Sequence, residues 1–88
     1  MPKYVIERHI PGCGRFTAEQ LRGIAQKSNE VLNAMGPRIQ WVHSYVTGDK
    51  ITCLYIAPDE ASILEHGLRG GFPVTRVMQV EAVIDPVT

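Results

Sequence analysis

A chain of 88 residues has room for one hydrophobic core, so residues 1–88 read as a single domain. Nine basic and nine acidic side chains give zero formal charge, and no cluster of Lys or Arg supplies the basic footprint of a nucleic-acid binder. No apolar run nears the roughly 18 residues that cross a bilayer, and no cationic-then-apolar leader is present, which predicts a cytoplasmic protein without a membrane partner.

The first predicted element is a strand over 3–9, "KYVIERH", rich in β-branched and aromatic residues. Pro11, Gly12 and Gly14 break it. Thr17 with Gln20 forms a capping box, and Leu21, Ile24, Ala25, Ser28, Leu32 and Met35 recur at helical spacing until Gly36-Pro37 stops the helix. A hairpin follows, with strands near 39–47 and 50–57 joined through "TGDK". Asp59 caps a second helix whose inner side is read as Ala61, Ile63, Leu64 and Leu68, and Gly70-Gly71 ends it. A last strand is expected through 74–84, "VTRVMQVEAVI", before Asp85-Pro86.

The order βαββαβ predicts an α+β, ferredoxin-like sandwich, with a four-stranded antiparallel sheet and two helices on one face. Right-handed crossovers give the spatial order 4-1-3-2. The bare face of the sheet asks for a cover, and a second copy of the chain, giving a homodimer, is the simplest one.

The stretch "WVHSYVTGDKITCLY" carries the chemistry. Alternation assigns Ile6, Val42, Val46, Leu54 and Ile56 to the helix side, and Glu7, His43, Tyr45, Cys53 and Tyr55 to the other face. This division needs a bulged or three-residue turn, which sets Tyr45 across from Cys53 and His43 across from Tyr55. A strict two-residue Gly48-Asp49 turn would instead pair Thr47 with Lys50 and send His43 and Cys53 to opposite faces. The bulged form is preferred because it separates polar from aliphatic residues, and it sets Glu7 beside Cys53.

Imidazole, thiol and carboxylate converging in one patch would suit a late first-row divalent ion, and such an ion would partner groups that cost roughly 1–3 kcal/mol each when buried unpaired. Each residue also has a plainer reading. His43 can be a hydrogen-bonded strand histidine, Cys53 a small buried hydrophobe, and Tyr45 and Tyr55 ordinary strand aromatics. His66 projects with Ser62 and Arg69, away from the aliphatic stripe, which predicts exposure. His9 and Cys13 flank a loop and carry little signal. The metallochaperone CxxC, the aromatic-glycine pattern of an RNA-recognition motif and the Lys and Ser/Thr of a phosphate loop are all missing. The two cysteines, Cys13 and Cys53, are expected as free thiols.

"YVIER", "WVHSYVTGDKITCLYIAPDE" and "ILEHGLRGGFP" together resemble a small bacterial family of unknown function with members described as nickel-binding. The resemblance spans nearly the whole chain and implies a ferredoxin-like dimer that holds nickel or a similar ion. The matching positions are Glu7, His43, Tyr45, Cys53, Tyr55, Glu60 and His66, and the resemblance alone brings His66 into consideration. The resulting expectation is a small protein binding a divalent transition metal of nickel type. His43, Cys53, Glu7 and His66 are the candidate ligands, and Tyr45 and Tyr55 the pocket walls. The alternative is a dimeric α/β-barrel enzyme or small-molecule-binding protein, holding a small organic ligand between sheet and helices with His43 or Glu7 as general base.

Overall fold

Strand β1 (Lys3–His9) forms where the β-branched and aromatic residues cluster, and its burial alternates with period two, so that Tyr4, Ile6 and Arg8 face the core. The computed structural model describes residues 1–88. After a single 3-10 turn (Cys13–Arg15) come α1 (Ala18–Met35), β2 (Gln40–Val46), β3 (Lys50–Ile56), α2 (Glu60–Gly70) and β4 (Arg76–Gln79). The four strands make one antiparallel sheet in the order β2-β3-β1-β4. This is the expected α+β, ferredoxin-like arrangement.

The caps are those the sequence predicts. Thr17 Oγ1 accepts from Gln20 N at 3.1 Å while Gln20 Oε1 accepts from Thr17 N at 2.8 Å, closing the capping box of α1. Asp59 Oδ1 accepts from the Ser62 amide at 2.8 Å and caps α2. The final strand is much shorter than the 74–84 expected. It runs antiparallel to β1, with Gln79 opposite Tyr4, and Val80 N donates one more bond to Lys3 O at 2.8 Å. Residues 81–88 leave the sheet and are exposed.

The hairpin register corrects the sequence reading. Thr47 N and Thr47 Oγ1 both donate to Lys50 O at 2.9 Å, so the turn is the strict two-residue Gly48-Asp49 form. Val46 pairs with Ile51, Tyr45 with Thr52, Ser44 with Cys53 and His43 with Leu54. A bulge does occur, but at the far end, where Val42 is inserted between Trp41 and His43 and Trp41 pairs with Tyr55. The expected Tyr45–Cys53 and His43–Tyr55 pairs therefore do not form. Glu7 lies opposite Thr52 rather than beside Cys53, whose partner on β1 is Ile6.

The two faces follow from this parity. Under the helices lie Tyr4, Ile6, Arg8, Ile51, Cys53 and Tyr55, all buried. On the open face one row runs Tyr45–Thr52–Glu7–Arg76, and the next runs His43–Leu54–Val5–Met78. Leu54 and Ile56, expected under the helices, belong to the open face.

Helix α2 also turns differently. Its buried side is Ile63, His66 and Gly67, whereas Leu64 and Leu68 are exposed. Its glycines explain the choice. A Cβ at Gly67 would lie 2.8 Å from Val74 Cγ2, and one at Gly70 would collide with the Phe72 ring. The chain after the helix thus folds back against the glycine side.

The 3-10 turn packs under the hairpin. Gly14 N donates to Gly48 O at 3.0 Å, and a Cβ at Gly14 would sit 2.8 Å from Thr47 O and 2.9 Å from Gly48 Cα. Both obstacles are backbone, so Gly14→Ala is expected to lose about 1–3 kcal/mol of stability. Gly23 lies inside α1, where an added methyl would meet nothing within 4 Å, and should behave oppositely, Gly23→Ala gaining about 0.5–1 kcal/mol. Urea denaturation of the two variants checks both signs.

Candidate functional site

The six candidate residues divide between the faces. Glu7, His43 and Tyr45 stand on the open face; Cys53, Tyr55 and His66 meet on the helix side. No three His, Cys, Asp or Glu side chains gather as a metal set within the chain. The expected convergence of His43, Cys53 and Glu7 with Tyr45 and Tyr55 is therefore not what the fold gives, because the hairpin parity separates His43 from Cys53. His66, a candidate through the resemblance alone, lies on the side of Cys53.

On the open face His43 is exposed, its ring set edge-on against Tyr45 with centroids 4.9 Å apart. Glu7 Oε1 accepts from Lys50 Nζ at 3.3 Å. Neither His43 nor Glu7 reaches the space between sheet and helices, so the organic-ligand alternative loses the general base it was assigned.

The helix side holds an unusually polar core. Strand β1 points Arg8 inward beside Tyr4 and Ile6, and its side chain is 3 % exposed. Arg8 Nη1 donates to Pro73 O at 3.0 Å and Nε to Cys53 Sγ at 3.4 Å, while Nη2 has no partner. The guanidinium carbon lies 5.5 Å from the centre of the Phe72 ring. No carboxylate pairs with it, since the two ion pairs of the chain are Lys50–Glu7 and Arg69–Glu65.

Ser28 of α1 joins the cluster from above. Its Oγ lies 3.1 Å from His66 Nε2 and 3.5 Å from Tyr55 Oη. His66 is 1 % exposed, against the exposure predicted for it, and its ring stacks on Phe72 at 5.6 Å and tilts against Tyr55 at 5.1 Å. His66 Nδ1 has no partner. Burial, helped by the Arg8 charge, lowers the His66 pKa to about 4, and burial also raises the Tyr55 phenol above its ordinary value. Both groups are neutral at pH 7, so Arg8 is the one formal charge in the cluster.

Beside these groups a cavity of about 150 Å³ lies between α1 and the β2–β3 half of the sheet. Arg8, Cys53, Tyr55, Ser28 and Ser44 give it polar atoms, and Ile24, Trp41, Ile51 and Phe72 are among its apolar walls. Its rim is formed by half-buried Leu21, Ile24 and Ala25 on α1 and by the edge strand β2. Sequence reasoning misses Arg8 and Ser28 as site residues. The usable signal is the Tyr4-Ile6-Arg8 alternation, which puts a cation on the same face as two core residues.

The neutral, buried His66 makes stability depend on pH. Unfolded, the imidazole takes a proton near pH 6.5; folded, it does so only near 4. The unfolded chain binds more protons in that window, so stability is full above about pH 6.5 and falls as pH drops toward 4, by roughly 3 kcal/mol in all. Urea midpoints measured from pH 7 to pH 4 should show this slope, and His66→Gln should flatten it.

Comparison with known proteins agrees with the fold. The crystal structure of SCO4226 from Streptomyces coelicolor A3(2) superposes with a TM-score of 0.78, covering 93% of this chain and 99% of that one at 15% sequence identity. No curated protein matches the chain. A family model does, over residues 4–80, and it makes this chain a member of the nickel responsive, SCO4226-like protein family.

Proposed function

We propose that the protein binds a divalent transition metal of nickel type, and that it does so between two copies rather than within one. The reading is carried by one observation. His43, an accessible imidazole, ends an apolar row on the uncovered sheet face, and one chain gathers no three donors by itself. Imidazole nitrogen suits nickel, copper and zinc, and the family description names nickel.

A homodimer formed through the open faces would cover Leu54, Val5 and Met78 and bring a second set of donors toward His43. In this reading His43 is a ligand, Glu7 a ligand or an orienter of one, and Tyr45 a wall that fixes the imidazole. Cys53 and His66, enclosed under the helices, serve the core instead.

The test is nickel titration of untagged protein by calorimetry, paired with sedimentation velocity. Wild type should take up nickel with saturation while dimer population rises. His43→Ala should lose roughly tenfold or more of the affinity and the metal-dependent dimer. Cys53→Ser should retain both. Equal loss in Cys53→Ser, or uptake that His43→Ala leaves untouched, would sink the shared open-face site.

A further inference from the structure

A guanidinium held away from water with no anion beside it is costly, by several kcal/mol even after relaxation. Arg8 is in that position at 3 % exposure. The groups around it are a thiol, a phenol, a serine hydroxyl and a neutral imidazole, none of them a carboxylate. Nη1 is committed to Pro73 O, leaving the lateral edge formed by Nε and Nη2. On that edge Nε meets only the Cys53 sulfur at 3.4 Å, a weak acceptor, and Nη2 meets none. A guanidinium edge of this kind is matched by the two oxygens of a carboxylate.

The second observation is the cavity that Arg8 and Cys53 both line. At about 150 Å³, with largely apolar walls, it is of the size that holds a benzene-sized body. Charge and space lie together, and each specifies a different part of one molecule. We infer that the cleft between α1 and the β2–β3 half of the sheet is a binding site for a small monocarboxylate with a compact apolar body, whose carboxylate pairs with Arg8. The acid group displaces the weak Nε–Sγ contact and supplies Nη2 with its missing acceptor. The apolar body lies against Trp41, Ile24 and Phe72. This site is on the opposite face of the sheet from His43 and does not depend on the metal reading.

Trp41 is the single tryptophan of the chain and lines the cleft, so its fluorescence reports occupancy. The probe is benzoate, with benzamide as the neutral match of the same shape, titrated into the full chain without added metal. Benzoate should give a saturable change and bind at least roughly tenfold tighter than benzamide, since only benzoate offers a charge-assisted pair. Arg8→Met should remain folded, because it replaces an unpaired buried cation by an apolar side chain, and should lose the preference for benzoate. Ala25→Phe, which fills the cleft from its rim, should lose binding of both probes. No saturable response to benzoate, equal affinity for benzoate and benzamide in wild type, or full benzoate binding by folded Ala25→Phe would each overturn the proposal. The wild-type comparison decides the matter even where Arg8→Met does not fold.

Discussion

Everything chemical in this domain depends on the turn at Gly48-Asp49. Two bonds from Thr47 to Lys50 O close it as a two-residue loop, and a strand has only two faces to choose from. With Thr47 opposite Lys50, Ser44 must pair with Cys53 and His43 with Leu54. One more residue in the turn would have reversed each of those side chains. The 3-10 turn reinforces the choice from below, where Ile10 N donates to Asp49 O and Gly12 N to Asp49 Oδ1, at 2.9 and 2.8 Å. The bulge at Val42 then restores Trp41 to the core side. An apolar ring thus closes the end of a face that would otherwise present Gln40 and Val42 to the helices.

The parity produces a core with a polar seam. Arg8, Ser28, Cys53, Tyr55 and His66 all lie within it, and a domain of 88 residues has little apolar area to offset such a seam. Neutrality is how most of the cost is contained. His66 stays unprotonated and Tyr55 stays a phenol because burial disfavours their charged forms. Arginine has no such escape, since its guanidinium does not lose its proton in proteins. The charge therefore persists, held by one carbonyl, one sulfur and the face of Phe72.

Much of the fold is legible in the chain. Local signals with one physical solution come through: the Thr17–Gln20 box, the Asp59 cap, the Gly36-Pro37 stop and the βαββαβ order with its crossovers. The site is legible only in part. Alternation puts Cys53 and Tyr55 in the company of His43 and Glu7, because segregating polar from aliphatic residues settles a register that turn chemistry actually decides. His66 projects outward only if Leu64 and Leu68 mark the inner stripe of α2. The actual stripe is set by Gly67 and Gly70, whose missing side chains let Val74 and Phe72 close over them. These departures share a cause: each depends on what lies across from a residue, which a single chain read linearly does not state.

The two faces of the sheet now carry separate chemistry. The open face offers an accessible imidazole amid apolar side chains and lacks a complete donor set. The helix face offers a buried cation beside a void and lacks an anion. A void and an unpaired charge each destabilise a small domain, and nearby apolar side chains would remove both at once. Their coincidence at Arg8 has a physical resolution that neither has alone. An anion of the right size supplies the missing acceptor while its body restores the dispersion contacts that the cavity walls lack. The fold and the binding site would then be stabilised by the same event, and occupancy of the cleft would tighten α1 against the strands it only partly covers.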